Sequence, residues 1–548
     1  MSPPAEPSPA PTSPAVTSPS DPADRSAAAD LPTAADRMAT ADRIAPAARM
    51  AEADLSAADL PAAADRIAAA DLPAAADLVD EVGRGTDEVG RRLGASNLAP
   101  VEHGLSGPQL PDPGKPAGRA DLRRIAGLAL PALVVLAAEP LYVLVDTAVV
   151  GHLGRVPLAA VAVGGTVMSV AVWFGTLMAY GTTGRAARRF GAGDRGAAVA
   201  EGVQASWLAL ATGVVLAVLA QVFAGPLASA LAGDPATADA ATGWLRIAAC
   251  GAPGLLLAAA GNGWMRGVQD TRRPLIFVLG ANVLSAILCP VLVYPLGWGL
   301  TGSAVANVAA QSVSGGLFLL ALVRETKALK PSLSIIMRQL VLSRDLLIRG
   351  AAFQACWLSA TAVAARFGVA ALGAHQIALQ LWFFSALALD AVAIAAQSLV
   401  GAALGAGDAA AAREVARRVV GVGAVAGVGF ALLAAAGAGV VPGWFSTDAA
   451  VHEQAAIVWP WFVGLLPFAG VVYALDGVMI GAGDVGYLRN VTLAAALAGF
   501  LPAIWLAYAF DLGLGGVWAG LGLLTIIRLV LLLWRWRGAR WAVLGATR

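Results

Sequence analysis

EPLYVLVDTAVVGHLG, residues 139–154, sits inside an apolar run from Leu122 to Val163 that is long enough to cross a bilayer, yet it carries two carboxylates, Glu139 and Asp146. A charge at membrane depth costs about 2.5–3.5 kcal/mol on the gentler insertion scales, so such a residue is seldom incidental. Seven positions apart, the two acids fall on nearly the same face of a helix with 3.6 residues per turn. Pro131 and Pro140 interrupt the same run, and each removes a backbone hydrogen bond. Irregular backbone at that depth survives only where protein buries it or a wet cavity borders it. The stretch therefore reads as the wall of a polar cavity inside a membrane protein.

Composition supports that reading. Of 548 residues 58% are hydrophobic and 13% charged, and the mean hydropathy is +0.71. The charge is unevenly spread: residues 1–120 hold 18 of the 36 acidic and 10 of the 37 basic side chains, leaving 18 acidic and 27 basic after them. Charge that sparse over so long an apolar stretch excludes an ordinary soluble domain and indicates a polytopic membrane protein. Cys250, Cys289 and Cys356 are widely spaced, and His103, His152, His375 and His452 show no ligand spacing, so neither a disulfide framework nor a zinc site is expected.

Residues 1–120 are built of Ala, Pro, Asp and Arg and repeat loosely, AADLPTAADR at 28–37 returning as AADLPAAADR at 57–66. With few large aliphatic side chains to bury, chain entropy dominates, and a disordered cytoplasmic tail is expected. No basic region precedes an apolar run, so the tail is not read as a signal peptide.

Beyond the tail, twelve apolar segments follow, at 124–150, 158–182, 202–225, 241–265, 274–295, 300–323, 344–366, 372–398, 416–440, 455–480, 488–509 and 513–535. Each matches a hydrocarbon core of about 30 Å. Arginines gather on alternate connections: Arg123 and Arg124 before the first span, Arg185, Arg188, Arg189 and Arg195 after the second, Arg266, Arg272 and Arg273 after the fourth. The bias continues through Arg324, Lys327, Lys330, Arg338 and Arg344, then Arg413, Arg417 and Arg418, Arg489, and finally Arg535, Arg537 and Arg540. The positive-inside rule then places both termini in the cytoplasm of a multi-pass inner (plasma) membrane protein. The predicted organisation is a tail over 1–120, a first lobe over 121–325, a cytoplasmic linker over 326–342, a second lobe over 343–536 and a cytoplasmic C-terminus over 537–548.

A repeat underlies the spans. GAGD at 191–194 recurs at 405–408, an offset of 214 that also pairs Gly154 with Gly368 and Leu158 with Leu372. GNGWMRGVQD at 261–270 aligns in the same register with 475–484, matching Gly263 to Gly477, Met265 to Met479 and Asp270 to Asp484. Six spans separate the copies, which preserves direction, so the halves are parallel repeats about an axis along the membrane normal, with a cavity between or within them.

These strings resemble the multidrug and toxic compound extrusion (MATE) family, in particular its DinF-like branch. The resemblance rests on PLYVLVDTAVVGHLG, the paired GAGD tetrads, RGVQDTRRPL at 266–275, AHQIA at 374–378, LDAVAIAAQSLVGAALGAGD at 389–408 and LDGVMIGAGD at 475–484, and it covers residues 121 to about 536. It implies an all-α fold of twelve transmembrane helices in two six-helix lobes, alternating access, and export driven by protons or sodium ions. It further implies a protonation site at Asp146, a bending proline at Pro131 and a cation-binding acid at Asp476. A span-7 glutamate of sodium-coupled relatives has no match in AAFQACWLSATAV, which favours protons.

Read as residues, Asp146 is the leading proton-coupling candidate, since a carboxylate in a low-dielectric wall is costly as an anion and takes up a proton more readily. Its alternative is a solvated position near the outer end of the span. Glu139 either shares the proton or contacts the substrate. Asp390 and Asp476 are substrate or cation-binding candidates by the same cost argument, with structural hydrogen bonding as the alternative, and Asn262 is the repeat partner of Asp476. Gln376, Gln380 and Gln397 offer amide contacts to substrate or bonds between helices. His375 reads as a packed, neutral side chain. Asp194, Asp270, Asp408 and Asp484 read as helix caps or arginine partners.

The expected function is an antiporter that exports organic cations or amphipathic drugs in exchange for protons. A lipid-linked precursor flippase or an organic-acid exporter is the alternative. Intramembrane acids suit cationic cargo, and no buried basic site for anions is expected in the spans. Partners are small molecules and the bilayer, with no nucleic acid, and the protein is expected to act as a monomer without a cofactor or metal. No nucleophile–base pair, HExxH or phosphate-binding glycine loop points to an enzyme, and no filter motif points to a channel.

Overall fold

The computed structural model describes residues 122–547, and the tail expected over 1–120 lies outside them. The described residues belong to one compact unit and are helical, with no strand among them. The first half contains α1 (Leu122–Gly151), α2 (Arg155–Gly191), α3 (Arg195–Leu231), α4 (Pro235–Ala249), α5 (Ala252–Gly267), α6 (Arg272–Val293) and α7 (Gly299–Glu325). The second contains α8 (Leu333–Arg366), α9 (Val369–Gly405), α10 (Ala409–Ala436), the short α11 (Val441–Phe445), α12 (Ala449–Gly481), α13 (Val485–Ala494), α14 (Leu501–Ala509) and α15 (Gly513–Arg537). A π turn, Ala495–Phe500, joins α13 to α14 as one span. Eleven spans are long and apolar enough to cross a membrane, and the α4–α5 pair, bent by 48°, makes the twelfth.

The bend between α4 and α5 has a local cause. Pro253 cannot donate in the first turn of α5, and Gly254 lies against the backbone of Gln311 with no room for a Cβ. The helix thus turns aside to run close along α7. By contrast, α1 continues through both of its prolines. The irregular backbone expected there is absent, because neighbouring groups can satisfy the carbonyls a proline frees inside a membrane helix.

Several helices outrun their apolar windows at the arginine-rich end. α2 continues to Gly191 with Arg188 and Arg189 in its last turn, where cations favour a helix terminus. Gly193, at φ +81°, ends it, and Asp194 caps α3 by accepting from the Ala197 N–H at 2.7 Å. The second half repeats the device with Gly407 at φ +80° and Asp408 accepting from the Ala411 N–H at 2.8 Å. Left-handed backbone recurs at the same offset elsewhere: Gly154 and Gly368, Gln269 and Gly483, Gly297 and Asp511, Gly299 and Gly513. The sequence repeat is therefore a repeat of conformation. α8 begins at Leu333, well before the expected 344, so much of the expected 326–342 linker is helix.

Each half packs around one helix, α5 or α12, that approaches two neighbours closely through small residues. In the first, Gly263 of α5 meets the Ala179 backbone of α2, and Gly315 of α7 meets Gly254 of α5. In the second, Gly477 of α12 meets Ala393 of α9, and Gly423 of α10 meets Gly470 of α12. Between helices in lipid there is little hydrophobic drive, so close backbone approach supplies the van der Waals contact that holds them. The lobes meet in their arginine-rich halves: Gly191 against Ala402, Gly405 against Arg188, Gly184 against Ile480, and Ser398 Oγ donating to the Arg266 carbonyl at 2.8 Å. α1 touches both lobes. Ile125, Leu128 and Ala132, in its first half, pack with buried residues of α9, whereas its second half packs on α6 and α7.

Candidate functional site

Asp146 stands near the end of α1 away from the arginines and is 5% exposed. Ser303 Oγ of α7 donates to its Oδ1 at 2.7 Å, and Cys289 Sγ of α6 donates to the same oxygen at 3.1 Å. No cation pairs with it among the described residues, and both bonds fall on one oxygen. Trp244 Nε1 donates to Ser303 Oγ at 3.3 Å, fixing the serine that fixes the aspartate. One turn back, Tyr142 Oη accepts from Asn307 Nδ2 at 3.0 Å, and Asn307 Oδ1 accepts from Gln311 Nε2 at 2.7 Å. The first lobe thus holds one buried carboxylate among neutral donors. Glu139 is exposed and has no hydrogen bond or ion pair among the described residues. Pro131 lies half-buried where α1 passes from the second lobe to the first.

The second lobe contains a different arrangement. Asp476 of α12, 6% exposed, receives Arg349 of α8 and, at 2.5 Å, Arg528 of α15, both on Oδ2. Both guanidinium groups lie over the Phe353 ring, 5.4 and 4.8 Å from its centroid, a favourable placement for a cation. Arg349 Nε also donates to Thr492 Oγ1 at 3.3 Å. Asp390 of α9 accepts from Tyr180 Oη of α2, a bond between the lobes. The close seam between Gly477 and Ala393 brings Asp476 near Asp390, and Arg266 and Arg349 lie within electrostatic range of the latter. Three arginines and two aspartates therefore share this region.

The expectation that the spans hold no buried basic site is overturned by Arg266, 4% exposed, and Arg528, 8% exposed. The apolar pattern does not mark Arg349 as buried, because the seventh span reads from the sequence as starting at 344, which puts this residue at the membrane surface. With α8 beginning at Leu333, it falls at mid-helix. Arg528 had a legible signal, a lone arginine inside an otherwise apolar span. Asp476 is thus not free to act as a simple cation ligand, since two guanidinium groups already occupy it.

The remaining candidates scatter. Asn262 and Gln397 are buried, and Asn262 Oδ1 and both Gln397 amide atoms lack hydrogen-bond partners among the described residues. Gln376 is half-buried and Gln380 exposed. His375 is buried beside Trp518, with neither ring nitrogen hydrogen-bonded among the described residues. Asp270 pairs with Arg273 at 3.1 Å and Asp484 with Arg535 at 2.7 Å, so these acids fix loops. Among the described residues no three His, Cys, Asp or Glu side chains converge as a metal site.

Comparison with known proteins agrees with this architecture. The MatE family profile matches residues 131–291 and 348–505. The chain belongs to the MatE family. As a member it is a transporter rather than an enzyme. This MatE protein is 33% identical over 440 residues to Protein DETOXIFICATION 44, chloroplastic, of Arabidopsis thaliana, covering 78% of this chain and 83% of the relative. It is 30% identical over 373 residues to DNA damage-inducible protein F of Escherichia coli strain K12, covering 66% and 81%. A solved MOP superfamily transporter from Pyrococcus furiosus shares the fold, with a TM-score of 0.68 at 20% identity over 76% of this chain and 95% of that one.

Proposed function

We propose that this transporter exports amphipathic organic compounds in exchange for protons, with Asp146 as the protonation site. One observation carries the reading: a buried carboxylate whose only partners among the described residues are neutral donors, both on one oxygen. Without a cation beside it, such a group relieves its desolvation by binding a proton, and the second oxygen is left for that proton. α1 supplies the coupling. Its far half carries Asp146 on the first lobe while its near half packs on α9 of the second, so a change of charge at Asp146 bears on how the lobes are joined. Pro131 lies between those halves and is the position at which α1 would bend. The arginine bias supports an orientation with the closed, arginine-rich end in the cytoplasm of the inner membrane and both termini on that side.

The test is uptake of ethidium by proteoliposomes under an imposed pH gradient. Accumulation that follows the gradient and is lost in Asp146→Asn supports the assignment, and equal transport by that variant removes it. A sodium gradient in place of the pH gradient identifies the coupling ion.

A second reading of the cargo rests on a separate observation, the two arginines that share Asp476. Together with Arg266, which the first lobe contributes, they set three arginines against Asp476 and Asp390, and that excess suits an organic acid better than an organic cation. Uptake of a labelled tricarboxylate, lost in Arg349→Gln while ethidium uptake is unaffected, would select this alternative. Loss of neither selects the cation.

A further inference from the structure

Residues 539–547 do not trail away from α15. Trp541 is fully buried among residues of α9, α10, α12 and α15, and its Nε1 donates to the Trp536 carbonyl at 2.9 Å. Anchored there, the chain runs across the seam between the lobes. Arg188 of α2, 2% exposed, donates from Nη2 to the Val543 carbonyl at 2.5 Å and from Nη1 to the Gly545 carbonyl at 3.0 Å. The Gly545 N–H donates in turn to the Leu404 carbonyl of α9 at 3.0 Å. The tail therefore belongs to the second lobe through Trp541 and grips the first through Arg188.

The seam it crosses is the one that must open. Gly191 and Gly405, from opposite lobes, let α2 and α9 meet backbone to backbone beside Arg188, with no space for a side chain at either. Alternating access requires this contact to part, and it cannot part while Arg188 holds the tail. We infer that residues 541–547 form a strap that stabilises the state closed at the arginine-rich end and sets how often that end opens. Its hold depends on hydrogen bonds from a guanidinium to backbone carbonyls, which are stronger than neutral ones and are broken together. Gly545, at φ +108°, is the bend that presents both its N–H and its carbonyl, a conformation other residues adopt poorly.

The experiment uses the full chain in lipid nanodiscs, with spin labels at Ala192→Cys and Ala406→Cys, both exposed positions on opposite lobes beside the seam. Cys250, the one exposed cysteine among the described residues, is replaced by serine. Gly545→Pro removes the N–H and forbids the bend while leaving Trp541 in place, and Arg188→Gln removes the charged donor from the other side. Loss of the paired bonds should raise the population with widely separated labels by about tenfold. An increase in either variant, with the unfolding temperature retained, supports the strap. No increase in both overturns it. The measurement needs neither cargo nor ion gradient, so it stands apart from the transport reading.

Discussion

The two lobes repeat one another in backbone yet treat a buried acid in opposite ways. In the first, Asp146 accepts from a thiol and from a serine hydroxyl that an indole braces. In the second, Asp476 is clamped by two arginines. At the repeat offset Asp146 corresponds to Ala360, and Arg349, Asp476 and Arg528 correspond to Val135, Asn262 and Ser314, so neither lobe carries the other's charge. On the proposed reading, the carboxylate without a counter-ion is the one that takes up a proton. One held by two guanidinium groups is their shared counter-ion, and its loss would leave two buried cations unpaired. The duplicated scaffold thus holds one buried acid among neutral donors and the other between two cations.

The sharpest break in that comparison would be a mutual exchange of phenotypes between Asp146→Asn and Asp476→Asn. Asp146→Asn should reduce gradient-driven uptake by about a hundredfold or more, since the neutral amide cannot carry a proton through the cycle. Its unfolding midpoint should be nearly unchanged, because the amide oxygen still accepts from Ser303 and Cys289. Asp476→Asn should instead cost about 3–5 kcal/mol of stability, read by thermal unfolding in detergent, from the stranded Arg349 and Arg528. A triple change that also converts both arginines to methionine should recover most of that loss.

Where the lobes agree, their variants should agree as well. Asp194→Ala and Asp408→Ala each remove a helix cap of the same geometry, and each should cost about 1 kcal/mol in the same unfolding measurement. Unequal losses would show that the loops have diverged in more than sequence. The smallest effects distinguish the two donors to Asp146. Ser303→Ala should slow exchange by about tenfold and Cys289→Ala by less than half that factor, because a thiol is the weaker donor. Equal rates in all three proteins would exclude these bonds from the transport step.

Much of this was legible in one dimension. Span number, the parallel repeat and the loop-fixing aspartates follow from apolar runs and an offset of 214, since a membrane imposes length and paired backbone on every crossing. Asp146 was legible for the same reason, as an acid where acids are costly. Glu139 was equally conspicuous in sequence, yet it is exposed while Asp146 is buried, because helical phase does not say which stretch of a face a neighbour covers.

What the chain of residues determined by itself was the set of crossings and the places where charge enters them. The tertiary structure alone decided which charges neutralise one another. Asp476 and Arg528 are 52 positions apart, and Asp476 and Arg349 are 127 apart. Their pairing depends on where α8, α12 and α15 converge, and on a start for α8 that the apolar pattern conceals. The same holds for Arg188 and the C-terminal strap, more than 350 positions distant. Periodicity reports the surroundings of a residue along its own helix, whereas the partner of a buried charge is set by the packing of helices that the sequence does not place side by side.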